Sequence, residues 1–598
     1  MKSWPSKALL LAGAISLLVA IPAFSQDRDD PESLLPPGFG DPKSLPPPEE
    51  KAAPTPRVQP RTPPTERLPA LQESADPDEE DELDEFERPR PTNYFSIPEG
   101  QARPVDTVGL LVPGNHGLGP QAFGRTNGGF LITLVRRLDA PLPSRWTSIL
   151  LRRALLSRIA APAGVHPVDW VAARADLLVR MGEADAARML VQSVDHENYT
   201  PRMIEAAART ALATSDISGL CPLVGPARSR DTVWKLAEAM CAALEGEPAR
   251  ASALADEARR RGDVGGIDFR LAEKVIGAGA EARRAATLDW EGIRALNPWR
   301  AGIAGALGAE IPPQLVNRSA PQIQAWLARA PMVPLEQRLG PASVAATLGV
   351  FSSQSLVDTY SLMLDQTDIA EVEGTVGARL RTAWTHREPG ERLAAMRTLW
   401  REAEAPRDRY ARLILTAGAA ARIPPSEDLA ADAGNLVASM LSAGMDRAAA
   451  AWGVIVQESD DHRAWAMLAV GSPRATVDIS AGRVENFAEA DDSAGRRRSQ
   501  LLVAALAGLG RIAEGDASSL ASGLGMNLGA RDLWSARIDR AARDREAGTV
   551  ALLAGAGMQT TDWYGVPPAH LFRIVRALRT VGMEFEARMI AAEAIARL

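Results

Sequence analysis

Histidine and cysteine are the side chains here best suited to metal or nucleophilic chemistry, and their spacing speaks against both. His116, His166, His196, His386, His462 and His570 are scattered so widely that no helix presents two imidazoles at ligand spacing. Cys221 and Cys241 stand alone, without the paired Cys-x-x-Cys steps of a zinc site. The Gly-x-Ser-x-Gly, Ser-x-x-Lys and Gly-Lys-Ser/Thr patterns are missing, and Lys235 and Lys274 are the only lysines beyond residue 51. "ESDDH", Glu458 to His462, is the densest titratable cluster around a histidine and reads as the polar turn after a helix. From Gly109 to Gly129 there are seven glycines, but a phosphate cradle needs a strand before them and a helix after them, and Pro113 and Pro120 fall within the run. No catalytic residue, metal, cofactor or nucleotide is therefore expected.

The chain begins with Lys2 and Lys7, an apolar run from Ala8 to Ala20, and the small residues Ala23 and Ser25, which is the pattern of a secretory signal over 1–25. The apolar run is 13 residues long, against the ~20 that a spanning helix needs. Membrane contact is thus expected only through an uncleaved signal, and the mature chain is expected to be periplasmic or secreted. In an oxidising compartment the two cysteines, close together along the chain, favour a disulfide. Cys241 falls in a helix that Asp231 is placed to cap, so the bond would staple a hairpin.

Residues 26–104 are expected to stay disordered. A third of the positions from Pro31 to Pro69 are proline, and nine carboxylates crowd Asp76 to Glu87. Residues 26–100 carry a net charge of −11, from 19 acidic and 8 basic side chains, whereas 101–598 carry +1, from 56 and 57. A near-neutral body without a basic stripe argues against nucleic acid. The excess of arginine over six lysines reads as codon bias without functional weight.

A Gly-rich irregular segment is expected over 105–143, and from Ser144 onward apolar residues recur at helical spacing. Four helix–turn–helix windows share a glycine followed five residues later by an alanine: Gly182/Ala187, Gly246/Ala251, Gly444/Ala449 and Gly582/Ala587. The glycine ends one helix in a left-handed conformation and the alanine lets the next pack closely. Pro298 to Pro321 and Gly471 to Gly495 read as interruptions, giving helical blocks over 144–310, 311–470 and 471–598, the last ending in a capping pair with Arg573, Arg576, Arg579 and Arg588 at its polar positions. Twelve of the 13 tryptophans lie beyond residue 140 and mostly on apolar stripes, while Trp299, inside a break, is the candidate exposed partner anchor.

These four turns resemble those of the tetratricopeptide repeat, with its Gly-acidic-x-x-x-Ala turn. The resemblance implies an all-α solenoid of stacked antiparallel hairpins, preceded by the disordered Pro-rich and acidic segment. Its expected role is an exported, non-catalytic scaffold that binds a protein or peptide in the bacterial cell envelope. The alternatives are a cell-wall glycan binder using exposed tryptophans and a protein resembling the superhelix of soluble lytic transglycosylases without their catalytic domain.

Overall fold

The computed structural model describes residues 100–225, 227, 232–261, 265–279 and 287–598; the expected signal, the linker up to residue 99 and the cap Asp231 lie outside them. Among the described residues the chain is all-α, with 28 α-helices and one antiparallel pair of two-residue strands, Thr107–Val108 with Ile159–Ala160. The buried apolar side chains form one continuous core.

The turns show why so many helices fit in so few residues. Gly182, Gly246, Gly444 and Gly582 all have positive φ, between +78° and +92°. At the first, Gly182 N–H donates to Val179 O at 3.0 Å and Glu183 N–H to Leu178 O at 2.9 Å, which closes the helix Pro167–Arg180 on its own last carbonyls. Ala187, Ala251, Ala449 and Ala587 are fully buried on the following helices. Gly308, Gly349, Gly510 and Gly525 end helices with the same pair of hydrogen bonds, and so do two non-glycines at positive φ, Ser215 and Arg545. The Gly-to-Ala spacing hides five of these, because another residue stands at the fifth position; Gly525 precedes Ala530 by five, but the next helix starts only at Leu533.

Three expectations are corrected. The stretch from Pro298 to Pro321 is helical: Pro298–Leu307, Pro313–Arg318 and Pro321–Arg329 each begin at a proline. Proline opens helices there because a first-turn N–H would have no intrahelical partner anyway. The second break likewise contains the helix Ala481–Glu489. Segment 105–143 contains the helix Gly128–Arg137, started by Asn127, whose side chain accepts the Phe130 N–H at 3.0 Å. No block boundary falls at 310 or 470: Trp326 Nε1 donates to Val179 O at 3.3 Å, and His462–Gly471 packs on Glu584–Arg597.

The last helix, Glu584–Arg597, is not a cap. Its residues 586–595 are all buried, and it packs against helices from both halves of the array, including Arg145–Leu156. Glu593 explains the position. Its carboxylate accepts the Ser144 hydroxyl at 2.7 Å, Arg145 N–H at 2.9 Å and Trp146 N–H at 3.1 Å, and pairs with Arg597 at 2.9 Å. It thus caps the helix Arg145–Leu156, alongside Ser144, whose hydroxyl accepts Thr147 N–H at 3.1 Å. Further contacts join the same two regions: Glu546 accepts Arg125 N–H at 2.8 Å, and Gly548 N–H donates to Ala122 O at 2.7 Å. A linear stack in which each hairpin touches only its neighbours does not make such contacts.

Arginine has a structural role that composition concealed. Buried Arg145 donates to Phe351 O at 2.9 Å, Ser442 O at 3.3 Å and Ala346 O, closing the ends of two other helices. Arg174 donates to Leu155 O and Ser157 O, both at 3.1 Å, and to Val108 O at 2.8 Å; burial pulls its pKa down to about 9. Arg511 reaches Ala469 O and Ser472 O, and Arg588 reaches Gly471 O at 2.6 Å, at the end of the same helix. The planar fork supplies several donors in fixed geometry and its charge suits the negative helix end, which one ammonium group does not match.

Two stability outcomes follow. A Cβ at Gly182 would meet Ala325 Cβ at 3.1 Å and Val350 Cγ2 at 3.2 Å besides adopting φ +92°. Urea unfolding of Gly182→Ala is expected to show a loss of ~1–2 kcal/mol or more, and that of Arg545→Gly a gain of up to ~1 kcal/mol. Glu593→Ala strands three donors at the Arg145 helix start and removes the carboxylate partner of Arg597, which keeps only Pro143 O as an acceptor, and the same assay should record a loss of about 3–5 kcal/mol. A Glu593→Ala protein as stable as the parent would mean that this capping is not what joins the two regions.

Candidate functional site

The helices Arg497–Leu509, Glu514–Gly523 and Pro568–Thr580 enclose a groove of about 770 Å³, with the loop 526–531 as its fourth wall. Gly508 sets its depth, because a Cβ there would meet Phe572 O at 2.8 Å and Val575 Cβ at 2.9 Å, so the first and third helices approach closely. Ile512, Met526, Leu528 and Phe572, all half-buried, give an apolar lining, and Ala517 and Ala521 keep one side low.

Arg531, Arg573, Arg576 and Arg579 stand around this lining, with Glu514 as the one carboxylate in the wall. Arg573 is buried and fixed by Asp539 at 2.5 Å and Ala530 O at 2.7 Å; Arg576 shares Asp539 at 2.8 Å. Arg531 and Arg579 are exposed and form no ion pair among the described residues. The carboxylate beside Arg531, Asp532, is engaged elsewhere: it accepts Ser535 N–H at 2.7 Å as a helix cap. The Ser535 N–H and hydroxyl hold its carboxyl below the ordinary range, against a smaller opposing effect of burial. Gly510, at φ +66°, gives Arg579 its place over the turn, since a Cβ there would lie 2.3 Å from Nη1. The groove therefore presents fixed and free guanidinium groups beside apolar surface, an arrangement for carboxylates carried on a chain with apolar side chains.

No protein-family model, curated protein or solved structure matches the chain. What the groove does must be argued from its own side chains.

The sequence-derived candidates are placed as follows. Trp299 is buried, and its indole N–H donates to Asp268 O at 3.2 Å, so it is not an exposed anchor. Its neighbours belong to a helix that packs on Gly266–Gly279 rather than to a loop. None of the 12 tryptophans among the described residues is exposed, and Trp234, Trp290, Trp384 and Trp534 are half-buried. Among the described residues no three His, Cys, Asp or Glu groups are placed to hold a metal ion, and no helix is long and apolar enough to cross a membrane. Of the "ESDDH" cluster, Asp461 caps the helix His462–Gly471 by accepting Ala464 N–H at 2.8 Å. The four glycine–alanine turns position helices and are spread along the array, with Gly582 just beyond the groove helix Pro568–Thr580.

Cys221 and Cys241 form a disulfide with Cα atoms 5.4 Å apart. It ties the one-turn helix Cys221–Val224 to Thr232–Leu244 rather than stapling two full-length helices, because the chain after Leu220 turns once more before the longer helix begins. The groove was missed for a plain reason: Arg573, Arg576 and Arg579 are spaced by three along one helix face and read as the polar side of a cap. Only the packing of 514–531 across from them turns that face into a wall. Reducing the disulfide, which closes a 20-residue separation, is expected to lower stability by about 3 kcal/mol. Paired unfolding curves with and without reductant measure this, and the double variant Cys221→Ser, Cys241→Ser should be insensitive to reductant.

Proposed function

We propose that the chain is an exported, non-catalytic helical scaffold of the tetratricopeptide-like type, and that its 507–531/572–579 groove holds an extended, acidic segment of a partner protein in the cell envelope. The observation that carries this reading is the unpaired state of Arg531 and Arg579 beside a half-buried apolar lining. Folding leaves these charges without counter-ions, and acidic side chains supply them. Aliphatic side chains between the acids fill the lining around Ile512 and Phe572. The positive potential speeds encounter with such a segment, and the lining slows its departure.

The envelope setting is supported by the secretory pattern of 1–25 and by the disulfide, which persists in oxidising compartments. The scaffold reading is supported by the helix pairs closed by left-handed turns with buried alanines, which resemble the hairpins of groove-presenting repeat proteins.

The test uses the full oxidised chain and a fluorescent peptide of alternating Glu and Leu. Anisotropy should report saturable binding that weakens with salt and falls by about tenfold or more in the double variant Arg531→Glu, Arg579→Glu. Exchange of Glu for Lys in the peptide should abolish binding. Equal binding by parent and double variant would reject the groove, and recovery of the chain from the cytoplasmic fraction with its leader intact would reject export.

A further inference from the structure

A second cavity, of about 390 Å³, lies away from the groove, where the helices Pro389–Arg401, Pro406–Ala420 and Glu584–Arg597 meet Arg463 and Arg498. Five arginines line it. Arg401 and Arg409 are exposed at the mouth, while Arg463, Arg498 and Arg597 are half-buried farther in. The wall also contains Tyr410, 3% exposed, whose hydroxyl is buried without a hydrogen-bond partner.

The local charges do not balance from within. Arg597 is matched by Glu593 at 2.9 Å and Arg498 by Asp492 at 3.1 Å, with Asp491 at 3.7 Å. Arg401, Arg409 and Arg463 form no ion pair among the described residues. Arg463 donates to Ala596 O, and its Nε, like that of Arg498, is buried without an acceptor. Burial lowers the pKa of Arg463, Arg498 and Arg409 lower it further, and Asp461 opposes them. Arg597 stacks on the Tyr410 ring at 4.7 Å. Burial first, and then Glu593, push the phenol up, so it stays protonated and a donor at neutral pH.

We infer that this cavity is a binding site for a phosphate group, free or as a monoester, held by Arg463, Arg498 and the Tyr410 hydroxyl and approached past Arg401 and Arg409. Phosphate directs its oxygens tetrahedrally and so can meet two guanidinium groups and a phenol on different walls, whereas the acceptor sites of a carboxylate lie in one plane. The space exceeds a bare ion and leaves room for an ester substituent directed toward the mouth. A phosphate there also supplies the missing acceptor for Tyr410 and offsets the mutual repulsion of Arg409, Arg463 and Arg498. The site is independent of the groove and of the partner proposed for it.

Calorimetric titration of the full oxidised chain with inorganic phosphate, and separately with glycerol 3-phosphate, tests it, with chloride matching the ionic strength. At least one ligand is expected to bind saturably at one site per chain. Arg463→Gln should weaken that binding by about tenfold or more, and Tyr410→Phe, which keeps the ring under Arg597, by several-fold. The groove variant Arg531→Glu, Arg579→Glu should bind phosphate like the parent. Tighter binding of the ester would identify a phosphorylated metabolite or headgroup as the ligand class, and tighter binding of phosphate the free ion. Absence of saturable heat with both ligands overturns the inference, as does binding unchanged in Tyr410→Phe and Arg463→Gln. Should Arg463→Gln fail to give the parent circular dichroism spectrum, Tyr410→Phe alone decides.

Discussion

The capping of the helix Arg145–Leu156 by Glu593 is the contact on which the arrangement of the array depends. Helix starts leave backbone donors without intrahelical partners, and buried starts need acceptors from elsewhere. Here the acceptor comes from a residue 449 positions later. A carboxylate this deeply buried is stable only when its hydrogen-bonding capacity is filled, which Ser144, Arg145, Trp146 and Arg597 accomplish together. Once the last helix serves as that acceptor, it lies inside the array and needs no polar outer face. Its buried run from Glu586 to Ile595 follows from this placement.

Helix C-termini pose the opposite problem, and short helices pose it often. The described helices are short, Pro406–Ala420 being the longest, so a large share of carbonyls lies in last turns. Left-handed turns at glycine bring one or two carbonyls back into hydrogen bonds, and the remainder need donors from neighbouring elements. Arg145, Arg174, Arg511 and Arg588 provide them, each reaching a helix other than its own. Lysine brings similar charge but not two donors held in one plane, so at these positions the two residues are not equivalent. The arginine excess thus has a physical use, whatever its origin in the coding sequence.

Local features were legible in the sequence, and long-range ones were not. The helical class, the onset of helix at Ser144, the turns at Gly182 and its three counterparts, and the pairing of Cys221 with Cys241 all depend on near neighbours along the chain. Prolines misled because their meaning depends on position: Pro298, Pro313 and Pro321 look like breaks but stand at helix starts. The Glu593 cap and both arginine-lined cavities are made from segments far apart in the chain, and nothing in the spacing of Arg463 and Arg597 announces that they share a wall. Trp299 was misplaced by the same proline effect, since its exposure was inferred from a break that is a helix.

Arginines that close helix ends differ from those that do not, and the distinction points to ligands. A guanidinium group fixed on carbonyls is part of the fold, and its charge is balanced by the helix dipole it completes. Arg409, Arg531 and Arg579 neither reach carbonyls nor meet carboxylates, and although exposed they stand at the walls of concave sites beside other guanidinium groups. Residues 101–598 are almost neutral in sum, so such clusters reflect local placement rather than excess cation. Bringing like charges together in a cavity opposes folding unless an anion joins them. The two sites differ in what they leave for that anion: the groove adds half-buried apolar lining, which suits a peptide, and the cavity adds a buried phenol without an acceptor, which suits a compact oxyanion.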